Sequence, residues 1–351
     1  MIKRILFLSG ISIAVTLAQA PSPAKAKPAA KSAAAKPTAA KPAAAKPAGA
    51  PFIAPKTPWG EPDLQGIWPL NHLIAVGLQR NARFGDKAYL TDAEVATAQT
   101  ALEARNGRFS GAAIPVADTS TRVMKQTSLI VDPPNGQFPP LTDAGKEIQA
   151  AMRSSYRQGQ TVFDAVEDFS AWDRCVTRGM PVSMEPRNYN NGIRITQSPG
   201  YVVILLEMAH EVRIIPTTNM PALPADIKEW MGESRGHWEG NTLVVETKNF
   251  NGLVGQTSAG VPGSPGPLQP ETTNFHVVER FTRTAADTIE FKMTVDDPQV
   301  MKSPYTVAYP MYLDNKYDLY EYACHEGNTA VRNYIEASRF ERTHPAAAPA
   351  K

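Results

Sequence analysis

Apolar residues change their spacing near the middle of the chain. From Trp172 onward they fall into short runs of period two, and residues 288–295 are the cleanest. Ile289, Phe291, Met293 and Val295 share one face, while Glu290, Lys292 and Thr294 take the other. That alternation is the mark of an antiparallel strand wet on one side. The same reading predicts strands at 192–197, 201–208, 212–216, 236–239, 242–247, 275–282, 305–313 and 318–323. Val202, Val203, Ile204, Leu205 and Leu206 run together without a polar position, which predicts a strand covered on both faces. Glu239-Gly240-Asn241 reads as a tight hairpin. Eight or nine sequential strands with short turns predict a mainly β fold. The expected form is an antiparallel meander, closed as an up-and-down, calycin-like barrel or strongly curled into one sheet.

Ahead of Trp172 the period is helical. Residues 90–106 begin with Thr91-Asp92-Ala93-Glu94, a capping box, and carry Val95, Ala98 and Leu102 on one stripe. Residues 128–131 read as a short strand. Thr142 caps a second helix over 143–157, with Ala144, Ile148, Met152 and Tyr156 on one face. The two helices define an N-terminal flank, 56–165, expected to pack on the sheet of a barrel-like domain, 166–340. A Gly/Pro/Ser loop at 252–270 is placed to flap over a barrel mouth. Residues 328–338 suggest a closing helix, and 341–351 a disordered tail.

The first 55 residues lie outside that pattern. Lys3 and Arg4 precede an apolar run to Ala18, and Ala18-Gln19-Ala20 follows, the plan of a secretory signal peptide over 1–20. The run is too short to span a bilayer, so no transmembrane segment is expected after cleavage, and a periplasmic or secreted location is. Residues 21–55 are Ala, Pro and Lys in repeating units, a composition that builds no core and predicts disorder. Contact with the cell envelope through this Lys-rich linker is one partner expectation.

The linker also hides the charge of the rest. The whole chain has 36 basic and 34 acidic residues, and eight of the basic ones lie in residues 1–50, which hold no acid. The remainder therefore carries 28 basic against 34 acidic residues, net −6, which argues against a nucleic-acid partner. Cys175 and Cys324 are the only cysteines. In an exported chain an even pair predicts a disulfide, with a catalytic thiol as the alternative.

Four groups of residues carry candidate chemistry. Gly232-Glu233-Ser234-Arg235-Gly236 matches the G-x-S-x-G nucleophile elbow, but a short helix-like run precedes it and strands follow, the reverse of the order the elbow needs. Glu207, at the end of the most apolar run, is a general acid/base candidate because apolar neighbours raise a carboxyl's pKa. His325 follows Cys324, whose disulfide would fix it, and is the second acid/base candidate. The ligand-binding set is Arg178, Asn190, Asn191, His210, Arg213 and Glu326, with Arg174 and Asn188 in the same polar stretch. A Glu207–Arg213 ion pair and an exposed turn position for His210 are the bland alternatives. No metal-ligand spacing occurs, and neither a metal nor another cofactor is expected.

Long motifs carry a resemblance. PWGEPDLQGIW, DRCVTRG, YNNGIRITQSPGYVVILLEMAHEVRIIP, GHWEGNTLVVETKNFN and EYACHEGN resemble a family of exported bacterial proteins of unknown function, over about residues 57–336. The resemblance implies export and no named activity. Gly66-x-Trp68 with the meander also resembles lipocalin-type barrels, where the Trp plugs the base. The leading expectation is an exported barrel-like protein that binds a small, partly apolar molecule. The alternative is a metal-independent acid/base enzyme, a lyase, isomerase or hydrolase, using Glu207 and His325. A third is a structural envelope protein.

Overall fold

Residues 52–109, 123–187, 189–257 and 268–344 are described by the structure, a computed structural model. The expected signal peptide, nearly all of the linker, the tip of the 252–270 loop and the end of the tail lie outside these residues.

In chain order the elements are β1 (Gly66–Ile67), α1 (Asp92–Phe109), β2 (Ile130–Asp132), α2 (Asp143–Ala151), β3 (Ile193–Ser198), β4 (Tyr201–Leu206), β5 (Val212–Pro216), β6 (Glu233–Glu239), β7 (Thr242–Lys248), β8 (Gln256–Thr257), β9 (Leu268–Gln269), β10 (His276–Ala285), β11 (Thr288–Asp296), β12 (Tyr305–Tyr312) and α3 (Ala330–Thr343). Short 3-10 turns link several of them. The strands make a four-stranded sheet, β1-β3-β4-β5, and a six-stranded sheet, β2-β12-β11-β10-β7-β6, with β8 and β9 a small separate pair. All ladders are antiparallel.

The expected single meander is therefore corrected to two sheets, and among the described residues the ladders do not close into a barrel. Two local features accompany the split. The Pro-containing loop after β5 separates it from β6, which opens the second sheet. Residues 318–323 form no strand, because the Tyr320 N–H is taken by the Glu207 carboxylate at 3.0 Å rather than by a neighbouring strand.

The period-two pattern fixes which face each strand buries. On β11 the buried set is Ile289, Phe291, Met293 and Val295, as the alternation requires. Phe281, Phe291 and Tyr309 stand opposite one another in register across β10, β11 and β12. Their ring centroids lie 4.8 and 4.9 Å apart in sequence, within the favourable range for tilted aromatic pairs. Ile193, Ile195, Val202, Ile204, Leu206 and Ile215 of the smaller sheet join the same apolar cluster. One core thus serves both sheets. β4 is not covered on both faces: Val202, Ile204 and Leu206 are buried, Val203 and Leu205 only half-buried. Beside them on β5, Val212 and Ile214 are exposed, so apolar composition there does not report burial. Trp68 is fully buried, its Nε1–H donating to the Leu64 carbonyl at 3.0 Å.

One ion pair sits inside the core. Arg213 of β5 donates through Nη1 to Glu279 Oε1 at 2.9 Å and through Nη2 to Glu279 Oε2. Both side chains are almost fully buried. Nη2 also reaches Ser234 Oγ at 3.1 Å, and Ser234 Oγ lies 2.9 Å from Thr247 Oγ1. This corrects the alternative of a Glu207–Arg213 ion pair: Arg213 is a core residue joining the sheets, its partner is Glu279, and it is outside the lining of the pocket described below. Ser234 lies within strand β6 with its hydroxyl engaged, and no helix precedes or follows it as an elbow requires.

The capping box of α1 forms: the Thr91 N–H donates to Glu94 Oε2 at 2.8 Å and the Glu94 N–H to Thr91 Oγ1 at 3.3 Å. Thr142 caps α2 by accepting from the Gly145 N–H at 2.9 Å. That helix ends at Ala151, before the expected residue 157, because Met152 turns to ψ 142°. Tyr156 leaves the helix to join Trp172 and Met208 in a second apolar cluster. α3 runs to Thr343, past the expected 338, and docks on residues 163–169 through a Phe163 N–H to Ser338 Oγ bond of 2.9 Å and Phe163–Tyr334 ring contact. Cys175 and Cys324 are disulfide-bonded, 149 positions apart.

Candidate functional site

Among the described residues between Ser170 and Gly192 there is no strand or α-helix. The backbone polar groups of this segment are met partly by turn hydrogen bonds, such as the Cys175 N–H to the Trp172 carbonyl at 3.0 Å, and partly by side chains, which is what holds irregular buried backbone. The Asp173 carboxylate accepts from the Ser170 N–H at 2.8 Å and the Ser155 N–H at 3.2 Å. Asn191 donates to the Arg187 carbonyl at 2.6 Å and to Asn71 Oδ1 at 3.0 Å, and accepts from the Arg187 N–H. The disulfide ties Cys175, within this segment, to the stretch that follows β12.

Between this segment and the ends of β3 and β4 lies a pocket of about 20 Å³. Arg178, Glu185, Arg187, Asn190, Asn191 and Glu207 supply its charged and amide groups. Three of the expected ligand-binding residues, Arg178, Asn190 and Asn191, therefore converge with Glu207. His325 is exposed and does not line the pocket. His210 is exposed in the turn after β4, its Nδ1 2.9 Å from the Tyr322 carbonyl. Glu326 is exposed and also outside the pocket lining.

Glu207 is 3% exposed and is met by neutral donors only. Oε1 accepts from Asn190 Nδ2 and the Tyr320 N–H, both at 3.0 Å. Oε2 accepts from the Gly192 N–H and Tyr317 Oη, both at 2.8 Å. Four donors compensate the cost of burying this carboxylate. They come from Asn190 and Gly192 ahead of β3 and from Tyr317 and Tyr320 in the coil after β12, so Glu207 pins that coil across the end of the smaller sheet. Gly192 makes this possible: a Cβ there would collide with Leu319, the Glu207 carboxylate and the Tyr317 ring. Glu207→Gln is expected to cost about 2 kcal/mol, since the amide's N–H₂ faces a donor and leaves it without an acceptor. Urea denaturation checks this; an unchanged midpoint would show that the four bonds are not holding the coil.

The guanidinium of Arg178 differs from every other charge around the pocket. It is 5% exposed and stacks over the Trp172 ring at 3.9 Å, a cation–π contact. Nε and Nη1 are buried with no hydrogen-bond partner among the described residues. Burial, with the nearby Arg187 charge, holds its pKa down at about 10. Arg187 reaches Glu185 Oε2 at 3.1 Å and the Val182 carbonyl at 3.2 Å, while its Nε and Glu185 Oε1 are buried without a partner among the described residues. Burial pushes the Glu185 carboxyl up, against the pull of Arg187. Burial also pushes Glu211 up, opposed by Thr177 and by Ser183, whose hydroxyl donates at 2.8 Å. Around Arg178 stand the aromatic residues Tyr156, Tyr189 and Tyr322. Trp172 and Tyr322 ring centroids are 5.9 Å apart, Tyr189 and Tyr322 6.3 Å.

Sequence reasoning missed Glu185, Arg187 and Trp172. A signal existed: Arg178, Glu185 and Arg187 fall in a stretch containing Met180 and Val182, where buried charges must find partners. Among the described residues there is no group of three or more His, Cys, Asp or Glu placed to hold a metal, and no helix is long and apolar enough to cross a membrane. No family model matches the chain, and no curated protein or solved structure matches it.

Proposed function

We propose that this is an exported protein that binds a small, partly apolar molecule at the pocket bounded by Arg178, Asn190 and Glu207. The observation that carries the reading is the Arg178 guanidinium, buried at a pocket with two nitrogens unpartnered. A buried charge left without an acceptor is costly, and an occupant of the pocket would relieve that cost. Export is supported by the basic, apolar and Ala18-Gln19-Ala20 pattern of the N-terminus, by the motif resemblance to exported bacterial proteins, and by the disulfide. Acid/base catalysis by Glu207 with His325 lacks the shared pocket it needs. The test is native mass spectrometry of the protein purified from its own host. The expected result is a small organic molecule retained by the wild type and lost from Arg178→Met of unchanged circular dichroism. A wild type that carries nothing, and whose Trp fluorescence responds to no aromatic or aliphatic probe, would overturn it.

A further inference from the structure

The smaller sheet is apolar on both faces and covered on one. Its inner side chains belong to the shared core. On the outer face the registers of β3, β4 and β5 line up three rows: Arg194–Leu205–Val212, Thr196–Val203–Ile214 and Ser198–Tyr201–Pro216. Leu205, Val212, Val203 and Ile214 therefore form one aliphatic block. Val212 and Ile214 are 54% and 62% exposed, so no described residue covers them. The Tyr201 hydroxyl meets the sulfur of exposed Met220 at 3.1 Å, which adds Met220 to the margin. A solvated sheet face carries polar residues, as β11 does with Glu290 and Lys292. The unbroken run Val202–Leu206 and its neighbours on β5 depart from that rule, and a contiguous exposed apolar patch marks an interaction site.

Size and charge select the occupant. Nine side-chain positions at roughly 4.8 by 6.8 Å each cover about 300 Å², well under the roughly 800 Å² per partner of a stable dimer. The block is roughly 15 Å on a side, and one α-helix about 10–12 Å in diameter crosses it in about three turns. Arg194 is the single charge in the three rows; it is exposed, and no carboxylate stands on them to meet it. An anionic membrane surface is held by clusters of cations rather than by one.

We infer that this face docks a short amphipathic helix of a partner protein, its apolar stripe on Val203, Leu205, Val212 and Ile214 and an Asp or Glu beside Arg194. None of these residues lines the pocket at Arg178, so the face stands or falls independently of it. The test puts the photocrosslinker p-benzoylphenylalanine in place of Val212 or Ile214 in the full chain, expressed in its own host. The same group in place of Lys292, on the outer face of the larger sheet, is the control. Crosslinks are expected from the first two sites only, to residues three or four apart in one segment of a partner that also carries an acidic side chain. Arg194→Glu changes an exposed residue; it is expected to cut the yield at least about tenfold by setting like charges together, with the melting temperature unchanged. Crosslinks to a second copy would overturn the inference in favour of self-association, and crosslinks to lipid in favour of a membrane surface. Crosslinks confined to the same chain would overturn it in favour of an internal cover. A partner met through an extended segment, or full yield from Arg194→Glu, would exclude the helix and its acid. No crosslink from either site would show that the face is simply wet.

Discussion

Glu279→Ala is expected to destabilise the fold by about 3–5 kcal/mol, the cost of leaving one member of a buried ion pair without its partner. Arg213 enters the shared core from the smaller sheet and meets Glu279 from the larger one, with Ser234 and Thr247 completing the contacts. Removing Glu279 strands a guanidinium whose Nε already has no partner among the described residues. The double variant Arg213→Met/Glu279→Leu removes both charges and keeps the volume. It is expected to recover most of the loss and to match or exceed the wild type. Urea denaturation of wild type, both single variants and the double variant measures this. Equal losses in the single and double variants would show that the pair is not the source of the cost.

Stability should also fall as pH rises from about 4.5 towards 8, through a single carboxyl. Glu271 is 3% exposed, and neither oxygen has a hydrogen-bond partner among the described residues. Burial pushes its pKa up to about 8, with the Asp297 charge adding and the nearby Val254 N–H opposing. The folded protein therefore keeps a proton that the unfolded chain releases above its ordinary value of 4.5. Stability from this group is complete below about pH 4.5, declines across the window, and levels off above about 8. A separation of that size corresponds to a total loss of up to about 5 kcal/mol, at 1.36 kcal/mol per unit. Glu271→Gln should flatten the decline and stabilise the protein at pH 8. Thermal melts of both proteins between pH 5 and 9 test it, and parallel curves would exclude Glu271 as the cause.

The sequence by itself determined the elements whose signals are local. The period-two alternation of residues 288–295, the Thr91/Glu94 and Thr142 caps and the pairing of the only two cysteines all appear in the structure. Each depends on a few neighbouring residues, or on there being a single choice of partner. Part of the core ion pair was legible too. Glu279 shares its face of β10 with Val277 and Phe281, and Arg213 shares its face of β5 with Ile215. A charge in the apolar phase of a strand is a buried charge in need of a partner. Alternation could not say that these two would meet, because that depends on how the sheets face each other.

Only the tertiary structure decided the rest. The split of the meander goes with the loop after β5 and with side chains that meet the Tyr320 N–H and the Tyr322 carbonyl, neither of which carries a period. For the same reason Glu207 became a clamp with four donors and His325 stayed outside the pocket. The candidate site is assembled from an irregular segment, two strand ends and a coil tied by one disulfide. Long-range hydrogen bonds and burial position its groups. Residue spacing carries no record of either, and so Arg178 stood out from the other arginines only when its missing partners could be counted.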